Sequence, residues 1–244
     1  MLPDSQTSHV APAVAGHDRR LPAPLWHTAV VLFILIGSSF GGSRGVHPLA
    51  KHKIPEYLWT MSWEWLLTGF VYLGIRKRIS LRELIGGRWA KAEDFLRDLL
   101  IASGFWLTAM AVIGAGAKLM HLDGTGKFDS MRRELGFLIP GTMPELLTWI
   151  CVSATAGICE EIIFRGYLQR QFAAVTRSVL AGVLLSAVVF GAAHGYEGVP
   201  RMILIGIYGL MFGLLAWWRG SLRPGMIAHA WHDAFSGAVM YLLK

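Results

Sequence analysis

Between Gly157 and Arg165 the chain reads Gly-Ile-Cys-Glu-Glu-Ile-Ile-Phe-Arg, two adjacent carboxylates and a guanidinium inside a stretch otherwise apolar enough to span a bilayer. Each ionised side chain near the middle of a spanning helix costs about 2.5–3.5 kcal/mol on insertion scales, so this group works against insertion unless its members are paired or used. Two later apolar runs also carry polar residues: Phe190-Gly-Ala-Ala-His194, and His229-Ala-Trp-His232-Asp233. On an α-helix, positions four apart share a face, so Glu161 can pair with Arg165 while Glu160, rotated by about 100°, points elsewhere. His229 and Asp233 share a face in the same way, and Phe190 can wall a pocket for His194.

Carboxylate and imidazole together suit the addition of water to a carbonyl. They can hold and deprotonate a water, or ligate a divalent metal that lowers its pKa. A second histidine or another donor can then stabilise the oxyanion. Buried Glu, His and Arg also build proton relays and cation pathways, so a transporter or channel is the rival reading. Neither an inverted repeat nor a pair of broken helices is visible in the chain, which weakens that rival. A third reading is a membrane adaptor or immunity protein that binds without cutting.

The elements that must position these residues are helices. Apolar residues make up 54% of the 244 positions and charged residues 16%, a membrane composition. Seven apolar runs can be read, roughly 26–42, 54–75, 98–117, 144–164, 179–194, 201–218 and 224–243. Several approach the roughly 20 residues needed to cross the hydrocarbon core, and no strand-like alternation suggests a barrel. The expected fold is all-α: a polytopic transmembrane bundle of about seven spanning helices. It forms one integral-membrane domain over 26–244 behind a polar tail, 1–25, with the first helix uncleaved. Residues 80–97 read as a surface-lying amphipathic helix or an ordinary loop. Gly209-x-x-x-Gly213, with Gly206, offers a small-residue contact face. Trp59, Trp63, Trp65, Trp217 and Trp218 suit interfacial belts, and Glu64 and Glu145 read as interfacial. Cys151 and Cys159, eight residues apart on one helix, are too distant to bridge. His47, His121 and His232 read as loop or packing residues.

The net charge of +7 collects beside membrane segments, densest in Arg76-Lys77-Arg78 with Arg82, Arg88, Lys91 and Arg97, which argues for a cytoplasmic loop and against nucleic acid. That places the N-terminus in the cytoplasm, although Lys118, Lys127, Arg132 and Arg133 then fall in an outside loop. Glu160 and His194 lie nearly symmetrically about residue 177, so antiparallel helices can bring them face to face if the fourth helix runs on to about Ala173. His229, soon after Pro224, falls by simple counting on the far side of the membrane from His194. Bringing it to the same site requires tilt or a re-entrant segment.

Glu160-Glu161-Ile-Ile-Phe-Arg165-Gly166, then Phe190-x-x-x-His194, then Gly220-Ser221-Leu222 leading to His229-x-x-x-Asp233, resembles the CPBP family of intramembrane endopeptidases, over about 143–243. That family includes the CAAX prenyl proteases and the bacteriocin-processing or immunity (Abi) proteins. The resemblance implies that Glu160 and His194 activate water and that His229 and Asp233 stabilise the oxyanion or bind a metal. Glu161, Arg165 and Phe190 then shape the site. If a metal takes part, the resemblance implies Zn²⁺ on Glu160, His194 and His229. It further implies a membrane-associated peptide or protein substrate, prenylated in the eukaryotic members, and a multi-pass protein of the cell membrane. The better-known prenyl proteases carry Asn where this chain has Asp233. An ionised Asp cannot donate to an oxyanion, so a metal-ligand or His-orienting role fits it better.

Overall fold

The computed structural model describes residues 21–42, 53–122, 136 and 139–243. His47, Lys127, Arg132, Arg133 and most of the polar tail lie outside the described residues. Among those described, seven long helices follow the seven apolar runs: α1 (Leu25–Gly42), α2 (Ile54–Ile75), α4 (Ala92–Leu119), α5 (Met143–Thr176), α6 (Val179–Ala193), α7 (Val199–Arg219) and α8 (Arg223–Leu242). A short α3 (Leu81–Ile85) lies between α2 and α4. No strand occurs among the described residues. By length and composition α4, α5 and α7 can cross a membrane unaided, while α1 and α6 are shorter apolar helices. The outer surface exposes large apolar side chains such as Phe33, Trp59, Leu66, Leu100 and Trp218, as a lipid-facing surface requires.

Residues 80–97 do not form one surface helix. Ser80 caps α3 through the Glu83 amide, and Gly86 and Gly87, both at positive φ (93° and 92°), break the chain there. Residues from Ala92 onward belong instead to α4. The start of α5 is fixed by a capping box in which Thr142 and Glu145 satisfy each other's backbone amides. Glu145 is buried there and also accepts from the Lys53 and Gly141 amides.

Helix α5 is the axis of the bundle. At 34 residues it is about 51 Å long at 1.5 Å per residue, well beyond the roughly 30 Å core, so it must tilt or protrude. Its middle, Glu161–Leu168, is wound as a π-helix whose eight residues are all buried. Such segments concentrate at functional sites. α8 packs most heavily against α5, and α6 packs about equally against α5 and α7. The α5–α8 crossing is tight because Gly157 lacks a side chain: a Cβ there would sit 2.7 Å from the Met226 carbonyl oxygen. Gly209 does the same for α7, where a Cβ would meet the Phe190 ring at 2.8 Å, and Gly206 and Gly213 continue that contact face. His27 pins α1 to the bundle. The Phe70 carbonyl can only accept, so Nε2 donates to it at 3.1 Å and Nδ1 accepts from the Tyr167 hydroxyl at 3.0 Å.

One end of the bundle gathers the basic residues. Arg78 donates to the Leu21 carbonyl, Arg170 reaches the carbonyls of Glu83 and Leu84, and Ser221 and the Leu222 amide both hold the Ile85 carbonyl. The start of α1, the end of α2 and the α7–α8 turn therefore share this end.

Candidate active site

Glu160 closes the first α-helical part of α5 and Glu161 opens its π-helical stretch. Glu161, fully buried, accepts from Arg165 Nη1 at 2.9 Å, and the spacing-based pair is thereby formed. Arg165, 2% exposed, also donates to the Gly209 carbonyl at 3.0 Å, and its guanidinium lies 4.3 Å from the Phe190 ring centroid and 5.2 Å from that of Phe212. A guanidinium between two aromatic faces is held by cation–π attraction as well as by its ion pair. Glu160 faces the other way, with a buried Oε2 that has no hydrogen-bond partner.

α8 supplies the histidine between them. His229 Nδ1 lies 3.2 Å from Glu161 Oε1, and its Nε2 lies 3.6 Å from Glu160 Oε2 and 3.7 Å from Asp233 Oδ2. Glu161 has only acceptors to offer when ionised, so Nδ1–H donates to it and Nε2 is left to face Glu160 and Asp233. The depth mismatch foreseen for His229 is removed by the length of α5 and the close crossing at Gly157. Asp233 is held in place through its backbone, which accepts from Trp149 Nε1 at 2.8 Å.

α6 ends at the site. His194 closes the helix with Nδ1 on the Phe190 carbonyl at 2.9 Å, so its Nε2 is the nitrogen left for chemistry. The Phe190 ring contacts both His194 and His229, with centroids at 4.9 and 6.1 Å. Asp233 lies within electrostatic reach of both histidines. In the loop beyond α6, burial holds the Glu197 carboxyl above its usual range, opposed by the positive potential of His194 and Arg201.

Two groups escaped the sequence reading. Glu64 is not interfacial: it stands midway along α2, its Oε2 is buried without a hydrogen-bond partner, and Glu160, Asp233 and His229 act on it electrostatically. Asp98 on α4, fully buried, takes Arg219 at 3.3 Å, Arg223 at 3.0 Å and the Trp89 indole at 2.8 Å, away from the carboxylate–histidine cluster. His232 packs on Tyr208 at 4.7 Å, His121 follows the end of α4, and both cysteines are free thiols.

Among the described residues, no three His, Cys, Asp or Glu side chains converge as a metal site requires. Glu160 and His229 meet, but the Zn²⁺ set of Glu160, His194 and His229 does not fit as these side chains stand.

Residues 142–235 match the family model of the type II CAAX prenyl endopeptidases, Rce1-like, a family of proteases. The matched stretch holds Glu160, Glu161, Arg165, Phe190, His194, His229 and Asp233; Glu64 lies outside it. No curated protein and no solved structure matches the chain.

Proposed function

We propose that this chain, a membrane protein whose residues 142–235 match the Rce1-like type II CAAX prenyl endopeptidases, hydrolyses a peptide bond of a membrane-associated protein or peptide. The observation that carries the reading is the meeting of Glu160, His229 and Asp233 from two helices, with His194 brought alongside through Phe190. A water held between Glu160 and His194 Nε2 gives its proton to Glu160 and attacks the scissile carbonyl carbon. A proton on His229 Nε2 is the donor that the oxyanion needs, and Glu161 and Asp233 orient that ring. When the carbon–nitrogen bond breaks, the proton on Glu160 passes to the leaving nitrogen, giving a carboxylic acid and an amine and returning Glu160 to its carboxylate; the new acid then loses its remaining proton to water. Arg165 neutralises Glu161, which leaves Glu160 as the carboxylate free to work. The basic end of the bundle belongs on the cytoplasmic side, together with the start of α1, by the bias of basic loops.

The test is cleavage of a library of membrane-anchored peptides, prenylated and not, by purified protein in detergent. Cleavage by the wild type that Glu160→Gln abolishes supports the reading; no cleavage of any peptide overturns it. A chelator arm reads the metal question. Activity kept in chelator assigns the water to the side chains alone. Activity lost in chelator and restored by Zn²⁺ assigns it to an ion that Glu160, His194 and His229 draw together to hold.

A further inference from the structure

A groove of about 670 Å³ lies between the loop after α3, α5 and α8, and no residue of the carboxylate–histidine cluster lines it. That volume falls in the roughly 300–1,000 Å³ range of small-molecule sites. Its walls are apolar, chiefly Ile158, Ile227 and Trp231, while Arg88, Trp89 and Arg223 stand at its basic end. Arg223 is held rigidly, with Nε 3.0 Å from Asp98 Oδ2 and 3.2 Å from Ser221 Oγ, and its guanidinium 5.3 Å from the Trp89 ring centroid. Arg219 shares Asp98, and Asp94, itself paired with Arg97, lies within electrostatic reach of Arg223, so two carboxylates stand against these three guanidinium groups, with Arg88 beyond them. Arg223 Nη1 is buried and has no hydrogen-bond partner, and the exposed Arg88 forms no ion pair among the described residues. The result is surplus positive charge at the head of an apolar channel, on the end of the bundle that gathers the basic loops.

We propose that this groove holds one anionic phospholipid, its phosphate beside the guanidinium groups of Arg88 and Arg223 and an acyl chain along Ile158, Ile227 and Trp231. Guanidinium groups suit phosphate oxygens, and basic pockets between membrane helices are the form such recognition takes. A second groove, about 480 Å³ between α4 and α7, is lined by Ile101, Phe105, Thr108 and Trp218 among others, with no charged side chain. It offers nothing to select a headgroup.

The experiment uses the full chain in mild detergent with phosphatidylglycerol or phosphatidylcholine of the same acyl chains, and reads retained lipid by native mass spectrometry and the thermal midpoint. The wild type retains phosphatidylglycerol in preference and gains midpoint from it. Arg88→Gln, at an exposed position, weakens that retention about fivefold, as expected for one surface arginine. Arg223→Lys keeps a cation for Asp98 and lowers the preference too. Equal retention of the two lipids, or an unchanged preference in both variants, overturns the proposal. Inorganic phosphate reproducing the midpoint gain overturns the lipid in favour of a free anion.

Discussion

Arg165→Leu tests whether the buried pair at the centre of α5 is the keystone that its geometry makes it. The substitution keeps an apolar side chain of helical propensity but leaves Glu161, fully buried, with His229 as its remaining partner. Breaking a buried pair from one side costs about 3–5 kcal/mol, because the remaining charge stays uncompensated. At roughly 2–4 °C per kcal/mol for a chain of this size, the thermal midpoint falls by about 6–20 °C. Adding Glu161→Gln removes the orphaned charge while its side-chain carbonyl still accepts from His229 Nδ1. The double variant therefore recovers more than half of the loss, a coupling that only residues in direct contact show. The assay is tryptophan fluorescence on heating in detergent, for the wild type, both single variants and the double. A midpoint for Arg165→Leu within about 2 °C of the wild type, or a double variant equal to the sum of the singles, refutes the reasoning.

Gly157→Val drives a side chain into the Met226 carbonyl and the Ala230 amide, 2.7 and 2.8 Å from the position of its Cβ; it separates α5 from α8 and lowers both midpoint and activity, and an unchanged midpoint contradicts the tight crossing. His194→Asn keeps a donor near the Nδ1 position for the Phe190 carbonyl but removes Nε2, so folding survives while kcat falls by about 10²–10⁴; activity near that of the wild type means that Nδ1 or neither nitrogen is used. Glu64→Gln replaces a buried carboxyl oxygen that has no hydrogen-bond partner by an amide of the same shape, and it leaves the midpoint within about 2 °C of the wild type; a midpoint lowered by more means that the Glu64 carboxyl group is itself held by a partner.

The seven long helices were legible because a spanning helix must be long, apolar and internally hydrogen-bonded, and each property is written in consecutive residues. The pairs Glu161–Arg165 and His229–Asp233 were legible for a related reason: both are local, four residues apart, and a helix brings such residues together whatever surrounds it. The depth of His229 was not, because it depends on the tilt of α5 and on the approach that Gly157 permits to α8, and both are tertiary. The π-helical winding of Glu161–Leu168 left no mark in composition. Glu64 could have been found. It stands midway in its apolar run, and the argument that marks Glu160 as a group needing a reason applies to it equally. Asp98 was read past because Arg219 and Arg223, its partners, lie more than a hundred residues away. The span 80–97 stays open in the sequence between a surface helix and a loop because its alternating apolar and charged residues compete with Gly86-Gly87, where the backbone turns to positive φ.

The central claim is that Glu160 delivers water directly to a peptide carbonyl. Single-turnover cleavage of a membrane-anchored peptide in H₂¹⁸O, with enzyme in excess, reads it most directly. The account predicts one ¹⁸O atom in the new carboxylate from the first turnover, no label in Glu160, and loss of the reaction in Glu160→Gln at an unchanged thermal midpoint. Unlabelled first product with ¹⁸O appearing in Glu160, or full cleavage by Glu160→Gln, would contradict it.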